Sequence, residues 1–127
     1  MSSAELAKKR FISITTFKRD GTAVSTPVWV AGDSGSLLVI SEADSWKVKR
    51  IRRDGHVRVA PCSARGAVRG EPVDADATIE DETAAVEKLL ARKYGWMYRS
   101  YMRFSALTRK LRRRPAPRGV TIRITPR

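Results

Sequence analysis

Apolar positions recur along the chain at two periods, and each change of period marks an element. Ser3 to Lys9 reads as a short N-terminal helix. Phe11 to Phe17 is a run of β-formers closed by an Asp20-Gly21 turn, and Thr22 to Ala31 is its hairpin partner. Pro27 inside that partner marks an edge, a bulge or a backbone that faces a ligand. Gly32 to Gly35 turns into Ser36 to Ile40, so the first forty residues read as an antiparallel meander. The run Leu37 to Ile40 gives way to Ser41-Glu42-Ala43-Asp44-Ser45, which has turn and cap chemistry. Trp46 to Arg53 then carries Val48 and Ile51 at helical spacing, and Asp54-Gly55 stops it. His56 to Pro61 returns as a strand with Val57 and Val59 on one face.

After a small basic loop (Ser63 to Gly70), Val73, Ala75, Ala77 and Ile79 alternate with polar residues, the pattern of a half-buried strand. Asp81-Glu82-Thr83 precedes a helix with Ala85, Val86, Leu89 and Leu90 on its apolar side, running to Tyr94. A second helical stretch, within a basic segment at about 95–114, takes Met97, Tyr101, Phe104, Leu107 and Leu111 as its stripe. Arg112-Arg113-Arg114-Pro115-Ala116-Pro117 ends it, and Gly119 to Thr125 alternates again as a closing strand. About six mostly antiparallel strands with helices between them predict an α+β chain, mainly β, whose sheet curls into a barrel.

At 127 residues the chain is expected to be one domain, 1–127, with a modest core. Charge changes the picture more than length does: 26 Lys and Arg against 13 Asp and Glu leave +13. That balance attracts phosphorylated small molecules, nucleic acid or anionic membrane. The single cysteine, Cys62, excludes an internal disulfide and a zinc site built on thiolates. MSSAELAKKR has no signal-peptide core and no apolar run approaches a membrane span, so the expected location is cytoplasmic.

The cations are most concentrated on the short helix after Ser45. Lys47, Lys49 and Arg50 lie in or near its first turn, where the positive end of the helix dipole disfavours them. Ser45, free backbone N–H groups and those cations together describe an anion site, most simply for a phosphate. The competing reading is a solvated basic face on a surface helix.

The order ISITTFKRDGTAVSTPVWV, then ISEADSWKVKRIRRDGHVRVAPC, then a G-x-P-V-x-A-x-A strand resembles the pyridoxamine 5'-phosphate oxidase-like superfamily of flavin and deazaflavin oxidoreductases. It is most similar to the actinobacterial F420-dependent branch, over roughly Lys9 to Tyr94. The resemblance implies an FMN-binding split β-barrel, assembled as a homodimer with cofactor sites at the subunit interface. It implies that Ser25-Thr26-Pro27-Val28-Trp29 lies along the tricyclic ring. Ser45, Lys47, Lys49 and Arg50 would hold the phosphate, and Ala60-Pro61-Cys62 would approach the ring from the other side. The cofactor implied is F420 (8-hydroxy-5-deazaflavin), with FMN as the alternative. Arg52, Arg53 and Arg58 favour F420, whose tail carries added carboxylates.

No acid–base pair stands out. His56 stands alone and reads as structural, and Cys62 as a small buried thiol. Trp29, Trp46 and Trp96 read as core or interface rather than stacking platforms. A hydride-transfer enzyme needs no such pair, because the cofactor does the chemistry while the protein orients it against a small-molecule substrate. Two alternatives stand beside this: a flavin or F420 carrier of the same fold, and a basic nucleic-acid or anionic-membrane binder. For the last, Arg99, Arg103, Arg109, Lys110 and Arg112 to Arg114 interleave with Tyr98 and Tyr101. No helix-turn-helix, zinc or RNP pattern supports a specific nucleic-acid partner, which leaves weak contact between the basic C-terminal helix and an anionic surface.

Overall fold

The computed structural model describes residues 2–112 and 118–127; the Arg113 to Pro117 part of the Arg-Pro tract lies outside them. The strands are β1 (Ile12–Phe17), β2 (Ala23–Val28), β3 (Ala31–Asp33), β4 (Ser36–Glu42), β5 (His56–Pro61), β6 (Val73–Glu80) and β7 (Gly119–Pro126). They form one curled sheet in the order β2-β1-β5-β6-β7-β4-β3, every pairing antiparallel. The helices are α1 (Ser3–Ala7), α2 (Trp46–Arg53), α3 (Ala84–Tyr94) and α4 (Trp96–Leu111). This is the split barrel expected from the sequence.

The described strands number seven rather than about six, because the stretch read as one strand from Thr22 to Ala31 is two. It breaks at Trp29-Val30, and the halves go to opposite ends of the sheet. The expected meander is therefore a pair of hairpins, β1–β2 and β3–β4. The physical cause lies in the backbone of Val30, which is taken by side chains of α3. Its N–H donates to Tyr94 Oη at 3.1 Å, and its carbonyl accepts from Lys93 Nζ at 2.7 Å. The N–H, a single donor, cannot also serve a sheet ladder, and the carbonyl fills both lone pairs with Lys93 and Tyr94. The β3–β4 turn has two residues, Ser34 and Gly35, both at positive φ (48° and 88°), as a tight hairpin requires.

Alternation along β4 builds two apolar layers. Leu37 and Val39 join Ile12, Ile14, Val57, Val59, Ile122 and Ile124 in the main core. That core is closed by Leu6 of α1 and by Val48 and Ile51 of α2. Leu38, one step out of phase, packs on the other side against Val86, Leu90 and Tyr94 of α3. Gly95, at φ 57°, then breaks the helix and starts α4 on a new line. The stripe expected to bury α4 does not do so: no residue of α4 is buried, and Phe104, Leu107 and Leu111 are exposed. Tyr98 is half-buried on the side of a groove, and Tyr101 and Met102 border the same groove while staying exposed.

Candidate functional site

Ser45 caps α2, its Oγ accepting the Val48 N–H at 3.3 Å and sharing a hydrogen bond with Ser41 Oγ at 3.1 Å. The N–H groups of Trp46 and Lys47 are in the first turn, where a helix offers no internal acceptor. Lys47 is half-buried beside them. Burial pushes its pKa below the ordinary lysine value, and the Glu42 carboxylate opposes that shift in part. Hydroxyls, unpaired N–H groups and a partly desolvated ammonium make a donor set suited to a phosphate group.

Ser41, Ser45 and Lys47 open on a groove of about 780 Å³, within the range of small-molecule sites. It is lined by Pro27, Val28 and Trp29 at the end of β2 and by Tyr98, Tyr101 and Met102 of α4, with Trp29 in ring contact with both tyrosines. β2 ends the sheet, so one side of its backbone pairs with no strand, and Pro27 has no N–H to leave unsatisfied there. Trp29 is fixed by aromatic contacts, stacked on Tyr94 at 4.9 Å and edge-on to Tyr101 at 5.2 Å. Tyr94 is itself tied down, its hydroxyl donating to the Arg10 carbonyl at 2.6 Å. Lys93 beside it donates to the carbonyls of Ala7, Lys9 and Val30, each at 2.7 Å, and burial pulls its pKa down to about 8. Lys93 and Tyr94 thus tie the segment before β1 and the break after β2 to α3.

The cations expected to hold one phosphate divide between two places. Lys47 faces the groove, whereas Lys49 and Arg50 line a separate depression of about 590 Å³ with Lys18, Arg19, Trp46 and Arg53. Burial of Val48 and Ile51 fixes the rotation of α2, which sends Lys47 to one flank and Lys49, Arg50 and Arg53 to the other. Arg50 Nη1 reaches Thr16 Oγ1 at 3.5 Å and Arg53 Nη2 reaches the Phe17 carbonyl at 2.6 Å, holding that second flank against β1.

Of the remaining expected residues, Ser25 is exposed and bonded through Oγ to Thr15 Oγ1 at 2.7 Å, and neither it nor Thr26 lines the groove. Ala60, Pro61 and Cys62 do not line it either. All three are buried, with the Cys62 N–H donating to the Phe11 carbonyl at 3.2 Å and the Pro61 carbonyl accepting from the Arg69 N–H at 2.8 Å. Ala64, further along the same loop, reaches the groove in their place. Burial raises the Cys62 thiol pKa, with Arg69 pulling the other way.

His56 bonds Asp74 at 2.8 Å and stacks on Phe17 at 5.2 Å, away from the groove. Arg58, counted from the sequence toward a cofactor tail, pairs with Asp74 as well, at 3.2 Å. Sequence reasoning missed Ser41, Glu42, Met102 and Arg109 as groove residues. The interleaving of tyrosines with arginines on α4 was a visible signal for that wall, though it pointed to a polyanion rather than a pocket.

Several solved structures share this fold. An F420 reductase is 17% identical, with a TM-score of 0.61 over 97% of this chain and 91% of that one. A pyridoxamine 5'-phosphate oxidase-related, FMN-binding protein from Nostoc punctiforme is 14% identical, with a TM-score of 0.59 over 98% and 74%. The haem storage protein HutZ from Vibrio cholerae is 10% identical, with a TM-score of 0.66 over 98% and 87%. No curated protein matches the sequence. Residues 2–127 match the family described as pyridoxamine 5'-phosphate oxidase, and the chain belongs to that family.

Proposed function

We propose that the protein is an F420-dependent oxidoreductase that transfers a hydride between reduced F420 and a small, unsaturated or conjugated organic substrate. The observation that carries this reading is the shared groove. A phosphate-type donor set at Ser45 and Lys47 opens onto the same space as a free strand edge at Pro27-Val28 and an aromatic wall. Bound F420 supplies the hydride chemistry. The chain's own residues hold and orient: Lys47 and the α2 N–H groups take the phosphate, Pro27 to Trp29 lie along the ring, and Tyr98, Tyr101 and Met102 exclude water from the facing side. The cation-lined depression beyond Lys49 and Arg50 favours F420 over FMN, because the deazaflavin tail carries carboxylates that FMN lacks.

The reading includes a homodimer, with the partner completing the open side of the groove. A haem carrier is less well supported, since the chain's only histidine and only cysteine both lie away from the groove. The test is titration with F420 and with FMN at equal ionic strength, followed by fluorescence. Reoxidation of reduced F420 is then monitored against a panel of activated alkenes. Tighter F420 binding with substrate-dependent reoxidation is expected. Equal or tighter FMN binding overturns the cofactor assignment, and binding without any turnover makes the protein a carrier. Light scattering that gives a cofactor-loaded monomer at micromolar concentration overturns the dimer.

A further inference from the structure

We propose that the outer face of α4 is a docking surface for an anionic lipid bilayer. The face turned away from the groove carries Trp96, Phe104, Leu107 and Leu111, which are 76%, 70%, 55% and 75% exposed. At 100° per residue these side chains share one stripe of about 80°, with only Ser100 between them. Arg99, Arg103 and Lys110 fall together along one edge of that stripe, and α4 contains no acidic residue. An apolar stripe with Trp and Phe, edged by cations, is the pattern of a helix lying in a bilayer interface. In a chain carrying +13, an anionic lipid surface matches both features at once.

Other occupants match one feature only. Arg99, Arg103 and Lys110 edge the stripe, so two-fold packing of that face on a second copy brings six cations together with no carboxylate of α4 to offset them. A nucleic-acid backbone satisfies the arginines and leaves four large apolar side chains uncovered. The inner face of α4 is already spent on the groove wall, so rotating the helix cannot hide the stripe without dismantling that wall. No helix among the described residues is long and apolar enough to cross a membrane, which makes the contact peripheral. It goes beyond the redox reading, and stands whether the groove takes F420 or FMN.

The experiment is co-sedimentation of the full chain with vesicles of pure phosphatidylcholine and of phosphatidylcholine with about one third phosphatidylglycerol. Anisotropy with a random DNA duplex and light scattering are run on the same samples. Binding to the anionic vesicles is expected to exceed binding to neutral ones, and to weaken with salt without vanishing. Arg99→Gln and Arg103→Gln should each cost about fivefold. The double variant Phe104→Ser/Leu107→Ser should lose about tenfold or more, with an unchanged thermal midpoint because neither side chain packs in the fold. Absent vesicle binding, binding insensitive to Phe104 and Leu107, or duplex binding without vesicle binding overturns the proposal. So does conversion of a dimer to a monomer by the double variant, which assigns the face to a second copy.

Discussion

Lys47→Met is the most informative single change to the groove. The substitution keeps the bulk of the aliphatic stem and removes the ammonium. A charge-assisted hydrogen bond to a phosphate contributes about 1.5–3 kcal/mol, which is roughly a tenfold to 150-fold loss of affinity. Lys47 is half-buried, so solvent screens it less than an exposed lysine, and the upper part of that range is expected. Arg50→Met is the matched control. Arg50 is three residues along the same helix, but it faces Thr16 and the other depression. With FMN it should change affinity by less than about threefold, as a screened charge at longer range. With F420 it should cost more, up to about tenfold, if the anionic tail crosses α2 onto that flank.

The assay is a fluorescence titration of both cofactors against wild type and both variants, with the thermal midpoint measured on the same samples. The midpoint should not fall in Lys47→Met, because burial disfavours the charged form that the change removes. Unchanged affinity in Lys47→Met, or a larger loss from Arg50→Met with FMN, would refute the placement of the phosphate at Ser45 and Lys47. A large drop in midpoint without loss of affinity would make Lys47 structural.

Glu42→Gln should tighten cofactor binding several-fold at low salt, since it removes a carboxylate that shares the groove with Lys47; weaker binding would show that Glu42 takes part in holding the ligand. Affinity should also fall as pH rises toward the lowered Lys47 pKa, below 10.5, because the bound anion needs the ammonium; Lys47→Arg should hold its affinity there, and identical pH profiles would count against it. Lys93→Met should cost about 1–2 kcal/mol in denaturant unfolding, since the Ala7 and Lys9 carbonyls lose their donor to partial solvation only, while the Val30 carbonyl keeps the Tyr94 hydroxyl. The Lys93 pKa is about 8 in the fold and 10.5 when free, so the unfolded chain binds more protons between those values; wild-type stability should rise across that window and the Lys93→Met curve should not. At the acid end, His56 and Arg58 hold the Asp74 pKa below 3.8, so its contribution is present above that pH and is lost as pH falls through the lowered value; Asp74→Asn should flatten the acid limb of a thermal-melt series.

The strands with strict alternation were legible because burial on one face leaves a period-two signature. β6 and β7 follow their sequence patterns to within two residues. The break between β2 and β3 was not legible. It depends on Lys93 and Tyr94, more than sixty residues downstream, claiming the backbone of Val30. Nothing local to Trp29-Val30 announces that a side chain will take those groups. The rotation of α4 escaped for a related reason. Its residues carry apolar side chains on both faces, so periodicity gives a helix without saying which stripe faces the sheet. The exit from α3 at Gly95, with φ 57°, decides that, and it puts Tyr98 and Tyr101 on the groove side and Phe104 on the other.

The candidate site shows the same division between local and tertiary information. Ser45 as a cap and Lys47 near the helix start are local features, and the sequence placed both where the structure has them. Grouping Lys47 with Lys49 and Arg50 required knowing how α2 sits on the sheet. Five of its eight residues are cations, so any rotation points some of them at a depression. Val48 and Ile51, three apart, fix the rotation by entering the core, and the cations then fall to both flanks of the buried line. One short helix thereby borders two separate anion-attracting spaces, with its capped N-terminus opening on the groove. A ligand with one phosphate can use only the first space, whereas a ligand with further anionic groups can span the helix and use both. On the proposed F420 reading, α2 discriminates the cofactor's charge count rather than its ring, and the ratio of F420 to FMN affinity should therefore shrink in Arg50→Met and survive in Arg58→Met, whose arginine is held by Asp74.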